Sequence, residues 1–183
     1  MQYNISPETI KGMHKTVPGV DDMLSQDFDT SFLKDETITP NGAIFDNTYC
    51  GFVPELLQKM YNDRKVTKKQ MLDAQQEYED TKHPKLLNAI SRYKNKQMAL
   101  KIALNSAYGA VGNQYFRFFD IRIAEAVTYG GQLSIRWIEI ALNKYLNELL
   151  KTDDVDYVLA SDTDSVYLTF EPLIDKLLSL IHI

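Results

Sequence analysis

Three long stretches of the chain place apolar residues at the spacing of about 3.6 residues that amphipathic helices require. The first begins at Pro54, because proline is tolerated in a first helical turn, and its apolar stripe continues to a break at residues 81–84. The second follows that break and ends near Ala107, and the third runs from a predicted N-cap at Asp120 to Leu150. The short break predicts that the first two helices form an antiparallel hairpin.

The third helix contains an adjacent pair of glycines, Gly130 and Gly131. Each glycine destabilises a helix interior by about 1 kcal/mol relative to alanine. The usual reason to tolerate that cost is close packing, so we expect another backbone to pass near this pair.

Strands are predicted near both ends of the chain. Residues 1–40 contain three prolines and only short apolar runs, so we expect irregular chain there. Asn41-Gly42 followed by an apolar run at 43–45, then Asp46-Asn47 and a run at 48–50, predicts a small hairpin over residues 41–50. Further on, apolar strands at 157–160 and 165–170 flank a polar turn, which predicts a second hairpin, and Pro172 then begins a short helix.

Composition is that of an ordinary soluble globular protein, with 44% hydrophobic and 25% charged residues. No stretch approaches the roughly 18 apolar residues of a membrane span, and the N-terminus lacks a signal-peptide pattern. The single cysteine, Cys50, excludes an internal disulfide and fits a reducing compartment.

The charge is unevenly distributed along the chain. Residues 64–101 carry ten basic and four acidic side chains, a formal charge of +6 in a chain whose net charge is −5. A basic block in an acidic body suits a mobile element that binds phosphates. The same pattern is also typical of a solvated helical face, and composition leaves both interpretations open.

Two carboxylates, Asp162 and Asp164, lie in the polar turn of the second predicted hairpin. Carboxylate oxygens held by rigid strands suit Mg²⁺, and phosphoryl transfer commonly uses two such ions. Two carboxylates rarely suffice for two ions, so a third should come from elsewhere. Taken alone, the tetrapeptide Asp162-Thr163-Asp164-Ser165 is more typical of an ordinary turn than of a metal site.

The second helix presents Lys101, Asn105 and Tyr108 within one sector of about 60°. A cation, an amide and an aromatic ring on one face can meet a triphosphate, a sugar or base edge, and a base pair. Arg64 and Lys68 lie one turn apart on the first helix, so antiparallel arms would let Arg64 and Lys101 converge on one anion. An amphipathic helix that ends at a glycine explains the spacing of Lys101, Asn105 and Tyr108 equally well.

The order and spacing of these motifs carry a specific resemblance. The pattern Lys-x-x-x-Asn-Ser-x-Tyr-Gly at residues 101–109, followed by Asp-Thr-Asp-Ser at 162–165, resembles two motifs of family B DNA polymerases in the family's order. Residues 4–10 and 108–120 resemble the same family, closest to the replicative enzymes of T-even-like bacteriophages. The resemblance extends from Gln2 to about Lys176 and implies an α+β fold: a partial polymerase palm of antiparallel strands with packed helices, plus an α-helical hairpin that forms the fingers.

The resemblance implies template-directed DNA synthesis, in which dNMP from dNTP is added to a primer 3′-hydroxyl by two-metal phosphoryl transfer with Mg²⁺. Asp164 would be the principal catalytic metal ligand, and Asp162 a supporting catalytic and metal-binding carboxylate. Partners would be primer–template DNA, dNTP and, through regions outside this chain, a sliding clamp; no membrane is implied, and the location would be the cytoplasm of a phage host. The nucleotide-binding residues would be Arg64, Lys68, Lys101, Asn105 and Tyr108, with Arg64 and Lys101 on the phosphates and Tyr108 near the nascent base pair.

The chain also departs from the family pattern. The resemblance divides it into partial palm (1–60), fingers (61–108), palm with the acidic hairpin (109–177) and a tail (178–183) that resembles a translated sequencing adaptor and that we expect to be artefactual. The family's other principal aspartate lies in an Asp-x-x-Ser-Leu-Tyr-Pro-Ser strand that would precede Gln2, so we expect these residues alone to be inactive. The same strand would hold the tyrosine that excludes ribonucleotides.

Two alternative functions remain open from the residues alone. The first is a non-catalytic nucleic-acid-binding module built on the basic hairpin of residues 64–101. The second is a metal-dependent phosphohydrolase built on Asp162 and Asp164. Neither alternative explains why the helical motif and the acidic hairpin occur together.

Overall fold

The structure, a computed structural model, describes residues 2–181, apart from the side chains at positions 177 and 179–181. Short strands alternate with helices in the first third of the chain, and long helices dominate the rest. In chain order the elements are β1 (Ile10–Met13), α1 (Gly19–Ser25), β2 (Glu36–Ile38), β3 (Ala43–Asp46), α2 (Phe52–Thr81), α3 (Lys85–Val111), α4 (Ile121–Leu150), β4 (Val158–Asp162), β5 (Ser165–Leu168) and α5 (Glu171–Ile181).

The strands form two separate antiparallel sheets. Three strands pair in the order β1-β3-β2, and β4 pairs with β5. Helices pack beside these small sheets, which confirms the predicted α+β class. None of the helices in the described part of the chain is long and apolar enough to cross a membrane.

The expectation of irregular chain over residues 1–40 is wrong, because β1, α1 and β2 lie there. These elements have three to seven residues, too few to show a hydrophobic period, and the strands form by pairing with β3. The Asn41-Gly42 turn does close a hairpin, but it joins β2 to β3. Residues 48–50 are not a strand, because Asp46 accepts hydrogen bonds from the amide and hydroxyl of Thr48 and turns the chain away.

The hydrophobic core lies where the three-stranded sheet meets α3 and α4. Asn41 donates a side-chain hydrogen bond of 2.9 Å to the carbonyl oxygen of Arg122, which fixes the β2–β3 turn against the first turn of α4. The core therefore joins the base of the helical hairpin to the sheet. Its buried members are Ala43, Phe45, Val111, Ile123 and Ala126, with Ile5 and Ile10 packed against them.

The α2–α3 hairpin is confirmed. α2 ends at Lys82, whose φ of 52° is left-handed and whose amide bonds to the carbonyl of Tyr78, and α3 begins after Pro84. Both helices extend beyond the predicted limits, since the first starts at Phe52 and the second continues to Val111. The two arms pack along most of their length, so residues equally far from the turn lie level with one another.

The Asp120 N-cap is confirmed, since its side chain accepts a hydrogen bond from the amide of Arg122. The expected backbone contact at the glycine pair is wrong. A Cβ at Gly130 would lie 3.3 Å from the ring of Tyr3, and a Cβ at Gly131 would meet nothing within 4 Å. Gly130 thus makes room for a side chain, and Gly131 borders open space.

At the C-terminal end, the helix after Pro172 is longer than expected, because α5 continues to Ile181. The predicted artefactual tail falls partly in this helix, and its positions 182 and 183 lie outside the described residues. The origin of the tail stays a prediction.

Candidate active site

The two carboxylates stand at the tip of the β4–β5 hairpin. Asp162 pairs with Ser165 across the end of the sheet, leaving Thr163 and Asp164 as the turn. The amide of Asp164 donates a 2.6 Å hydrogen bond to the carbonyl of Asp162, and the hydroxyl of Ser165 donates to the same carbonyl at 3.1 Å. These bonds fix the backbone that carries both carboxylates.

Thr163 has a φ of 51°, in the left-handed region that a β-branched residue rarely adopts. Backbone strain of this kind costs roughly 1–3 kcal/mol and is concentrated at functional sites. The hydroxyl of Thr163 donates to a carboxylate oxygen of Asp162 at 2.9 Å, so the strained residue also orients that side chain.

The hairpin tip presents two carboxylates whose chemistry suits Mg²⁺. The side chains of Asp162 and Asp164 are exposed, and their carboxylates are the hard oxygen donors that Mg²⁺ prefers. Among the residues that the structure describes, no three or more acidic, histidine or cysteine side chains are grouped so that they could hold a metal ion. The donor chemistry fits Mg²⁺, and the donor number requires a further ligand.

A cleft of about 510 Å³ joins the hairpin tip to the end of α3. Tyr108 lies on one side of it, and its hydroxyl shares a 2.8 Å hydrogen bond with the hydroxyl of Thr128 on α4. Two motifs more than 50 residues apart in sequence therefore border the same space. The cleft is lined by Tyr108, Val127, Thr128, Gly131, Gln132, Ile135, Ser161 and Thr163.

Thr128 and Gln132 were not predicted from the sequence. They lie four residues apart on α4 and are both exposed to the cleft. A polar pair at this spacing beside a glycine is a detectable signal, but it identifies a site only once the opposing residues are known.

The predicted nucleotide-binding residues differ in exposure. Lys68, Lys101 and Asn105 are exposed, whereas Arg64 is half-buried in the stripe where α2 meets α3. The Nε atom of Arg64 is buried and has no hydrogen-bond partner among the described residues. A buried cationic nitrogen without a partner is costly, and an anion bound at this position would relieve that cost.

Two carboxylates away from the cleft stabilise α4 and the start of β4, the elements that border the cleft. The pKa of Asp120 is lowered, chiefly by the hydrogen bond from the side chain of Arg122. The pKa of Asp156 is also lowered, by the amide of Val158 and the side chain of Asn143, so this residue fixes the start of β4 to α4. Both groups are structural, because they anchor α4 and the strand that leads to the hairpin tip.

Comparisons with known proteins show which proteins the chain resembles. The family model described as DNA polymerase family B matches residues 1–179. The DNA-directed DNA polymerase of Enterobacteria phage T4 is 32% identical, with 96% of this chain and 24% of that protein covered. The corresponding protein of Escherichia phage RB69 is also 32% identical, with the same coverage.

More distant similarity extends beyond phages. The DNA polymerase delta catalytic subunit of Schizosaccharomyces pombe is 31% identical, with 74% of this chain and 12% of that protein covered. The solved family B DNA polymerase of Pyrobaculum calidifontis matches 100% of this chain and 20% of its own, with a TM-score of 0.55 and 23% identity, a likeness of fold. The chain thus spans about a quarter of the length of its phage relatives.

Proposed function

The chain belongs to DNA polymerase family B, and from that premise we propose that the protein containing it is a DNA-directed DNA polymerase that adds dNMP from dNTP to a primer 3′-hydroxyl. The observation that supports this proposal most directly is the cleft that Tyr108 of α3 shares with Thr163 of the acidic hairpin. A nucleotide bound along α3 would approach the carboxylates through that space. The DNA template, the dNTP and a sliding clamp are proposed partners.

The acidic hairpin would hold the metal ions of the reaction. Asp164 would be the principal ligand and Asp162 a supporting one, with a further carboxylate from outside these residues. Mg²⁺, when bound, supplies positive charge that stabilises the attacking and leaving oxygens of phosphoryl transfer. The paired strands and the hydrogen bonds to the carbonyl of Asp162 hold the backbone that carries both carboxylates before substrate arrives.

The helical hairpin would bind the triphosphate. Arg64 offers a planar guanidinium whose Nε has no hydrogen-bond partner among the described residues, and Lys68 and Lys101 add exposed ammonium groups. Asn105 lies one turn beyond Lys101, where its amide would reach the nucleoside. Movement of this hairpin toward the palm would close the site over a correct base pair, as substrate-induced closure does in many enzymes.

Tyr108 would contact the nascent base pair. The hydrogen bond to Thr128 fixes the orientation of its ring, and Thr128 in turn donates to the carbonyl of Ala124 at 3.1 Å. A ring held this way presents a rigid surface to the pair, so a mispair with a different shape would fit less well.

The proposal is tested by primer extension with the complete product of the gene that encodes this chain. We expect Asp164→Asn to reduce Mg²⁺-dependent extension to background, because it removes the charge of the principal ligand. The matched control is Asp153→Asn, which removes the same charge from an exposed loop position away from the cleft and should leave extension unchanged.

Three results would contradict the proposal. Ordinary extension by Asp164→Asn would exclude the metal-binding role. DNA binding without extension by the unaltered protein would favour the non-catalytic binding module, and release of phosphate from nucleotides without a template would favour the phosphohydrolase.

A further inference from the structure

α3 carries a second exposed lysine on the face that presents Lys101. Lys94 precedes Lys101 by seven residues, which places it within about 20° of the same direction and about 10 Å further along the axis. Lys96 is also exposed but lies about 140° away from Lys101 around the same helix. Lys94 therefore extends the proposed phosphate-binding face toward the tip of the hairpin, and Lys96 does not.

The stripe of α3 that packs on α2 separates the two lysines. Half-buried residues recur at three- and four-residue spacing along the helix, and Lys94 and Lys96 flank this stripe on opposite sides. The members of the stripe are Leu86, Ala89, Ile90, Tyr93, Gln97, Leu100, Leu104 and Ala107.

α2 contributes to the same face as Lys94. The stripe of α2 that packs on α3 includes the buried Thr67 and Ala74. Lys68 is rotated away from this stripe around α2 in the same sense in which Lys94 and Lys101 are rotated away from the stripe of α3. In an antiparallel pair of helices, positions displaced in the same sense share one face. Measured from the turn, Arg64 lies level with Lys101, and Lys94 lies nearer the tip.

The cations on this face are available for a ligand. Among the described residues, Lys68, Lys94 and Lys101 form no ion pair, whereas Lys82 at the tip is paired with Glu79. The remaining acidic residues of the second half of α2 turn away from this face: they are Asp73, Glu77 and Asp80. The face thus presents a row of positive charge about 10 Å long that ends at Lys94.

We propose that Lys94 is a further positioning residue for the incoming nucleotide, which draws the triphosphate along this face toward Arg64 and Lys101. This inference rests on the proposed function. Two helical turns from Lys101, the Lys94 ammonium acts on the approach of the nucleotide, because long-range attraction raises the local concentration of an anionic substrate without contacting the reacting atoms.

The test compares Lys94→Gln with Lys96→Gln in the complete gene product. Each variant removes one exposed charge from the same helix, so helicity, net charge and fold remain matched. We expect Lys94→Gln to lower kcat/KM for dNTP about two- to fivefold at low salt, the range of a single exposed charge interaction. We expect the kcat of Lys94→Gln to be unchanged. Lys96→Gln should match the unaltered protein, and Lys94→Arg should have the kcat/KM of the unaltered protein.

Salt provides a second readout that a structural role would not change. The Debye length falls from about 30 Å at 0.01 M ionic strength to about 8 Å at 0.15 M. We therefore expect the difference between Lys94→Gln and Lys96→Gln to shrink markedly over this range.

Two results would overturn the inference. Equal kcat/KM for the two glutamine variants at low salt would remove any special role for Lys94. A change in the Kd for primer–template DNA with an unchanged dependence on dNTP would assign Lys94 to DNA phosphates instead. Failure of the unaltered protein to extend primers would overturn the proposed function itself and is recognised before any variant is compared.

Discussion

At the start of the chain, the side chain of Asn4 holds three backbone groups that precede α2. Its amide nitrogen donates to the carbonyl oxygens of Asp46 and Tyr49 at 2.6 and 2.7 Å, and its oxygen accepts from the amide of Gly51 at 2.8 Å. Asn4 is only 3% exposed and has a φ of 50°, which asparagine tolerates better than most residues. This one residue therefore links the end of β3 to the base of the helical hairpin.

We expect Asn4→Gly to lower the free energy of unfolding by about 3 kcal/mol, because three backbone groups, among them the buried amide of Gly51, lose their partner. Glycine accommodates the positive φ, so the loss reports the hydrogen bonds and not backbone strain. Urea denaturation followed by circular dichroism measures the change. Asn47→Gly, at an exposed position, is the control, and an equal effect of the two substitutions would contradict this account.

Asp120 gives a pH-dependent contribution to the stability of α4. The side-chain hydrogen bond from Arg122 lowers the pKa of Asp120 in the folded state. A carboxylate whose pKa is lower in the folded than in the unfolded state stabilises the fold above its unfolded value of about 3.9, and that contribution is lost as the pH falls through the folded value.

We expect Asp120→Ala to destabilise the chain by about 1 kcal/mol at neutral pH, through loss of the N-cap. The difference from the unaltered chain should begin to diminish below about pH 3.9, the unfolded pKa, and should fall further as the pH drops through the lower pKa of folded Asp120. The midpoints of urea denaturation of the two proteins at neutral and acidic pH measure this difference in stability. A difference that stays constant across this range would show that the charge of Asp120 contributes nothing.

At the scale of elements, the two adjacent glycines of α4 have different surroundings. A Cβ at Gly131 meets nothing within 4 Å, and Gly131 borders the cleft beside Tyr108. A Cβ at Gly130 would lie 3.3 Å from the ring of Tyr3. The space beside Gly131 is therefore open for a ligand, whereas the space beside Gly130 is filled by the Tyr3 ring.

We expect Gly131→Ala to raise the free energy of unfolding by up to about 1 kcal/mol through better helix propensity. The same methyl group would project into the cleft, so primer extension by the complete gene product should fall while stability rises. Gly130→Ala should gain less stability, because the Tyr3 ring must shift. Thermal unfolding and extension measured together test this, and a gain in both properties for Gly131→Ala would exclude the cleft as the working site.

The long helices could be predicted because a period repeated over many turns is readable without tertiary information. β1 and β2 could not, since each has three or four residues and exists only by pairing with β3. The Asn41-Gly42 turn was recognised from its residue types, but which run pairs across it depends on the Thr48 hydrogen bonds that divert the chain after β3.

The candidate site also combines features that the local sequence predicts with features that only the tertiary structure reveals. The spacing of Lys101, Asn105 and Tyr108 on α3 and the tip position of Asp164 follow from local periodicity. The hydrogen bond between Tyr108 and Thr128 joins residues 20 apart on different helices, so no local pattern contains it. Resemblance to a family supplied what periodicity lacked, namely the prediction that the two motifs serve one site.

At the scale of the whole molecule, the sheet that carries the carboxylates is small and open. It has two strands, and Leu159 and Tyr167 are 71% and 57% exposed. A two-stranded sheet is marginal by itself, and exposed strand edges favour association. The chain spans 24% of the T4 relative, and we infer that in a protein of that length other parts would cover this surface.

That inference leads to a prediction about the 183 residues alone. The described residues offer two carboxylates at the hairpin tip and no larger group of metal ligands, so we expect the isolated chain to lack Mg²⁺-dependent primer extension. The complete gene product should extend the same primer under the same conditions, because a further carboxylate and a covered sheet would complete the site. Parallel extension assays, with light scattering to detect association, separate inactivity from aggregation. Extension by the soluble isolated chain would show that Asp162 and Asp164 suffice, and the requirement for an outside ligand would then be wrong.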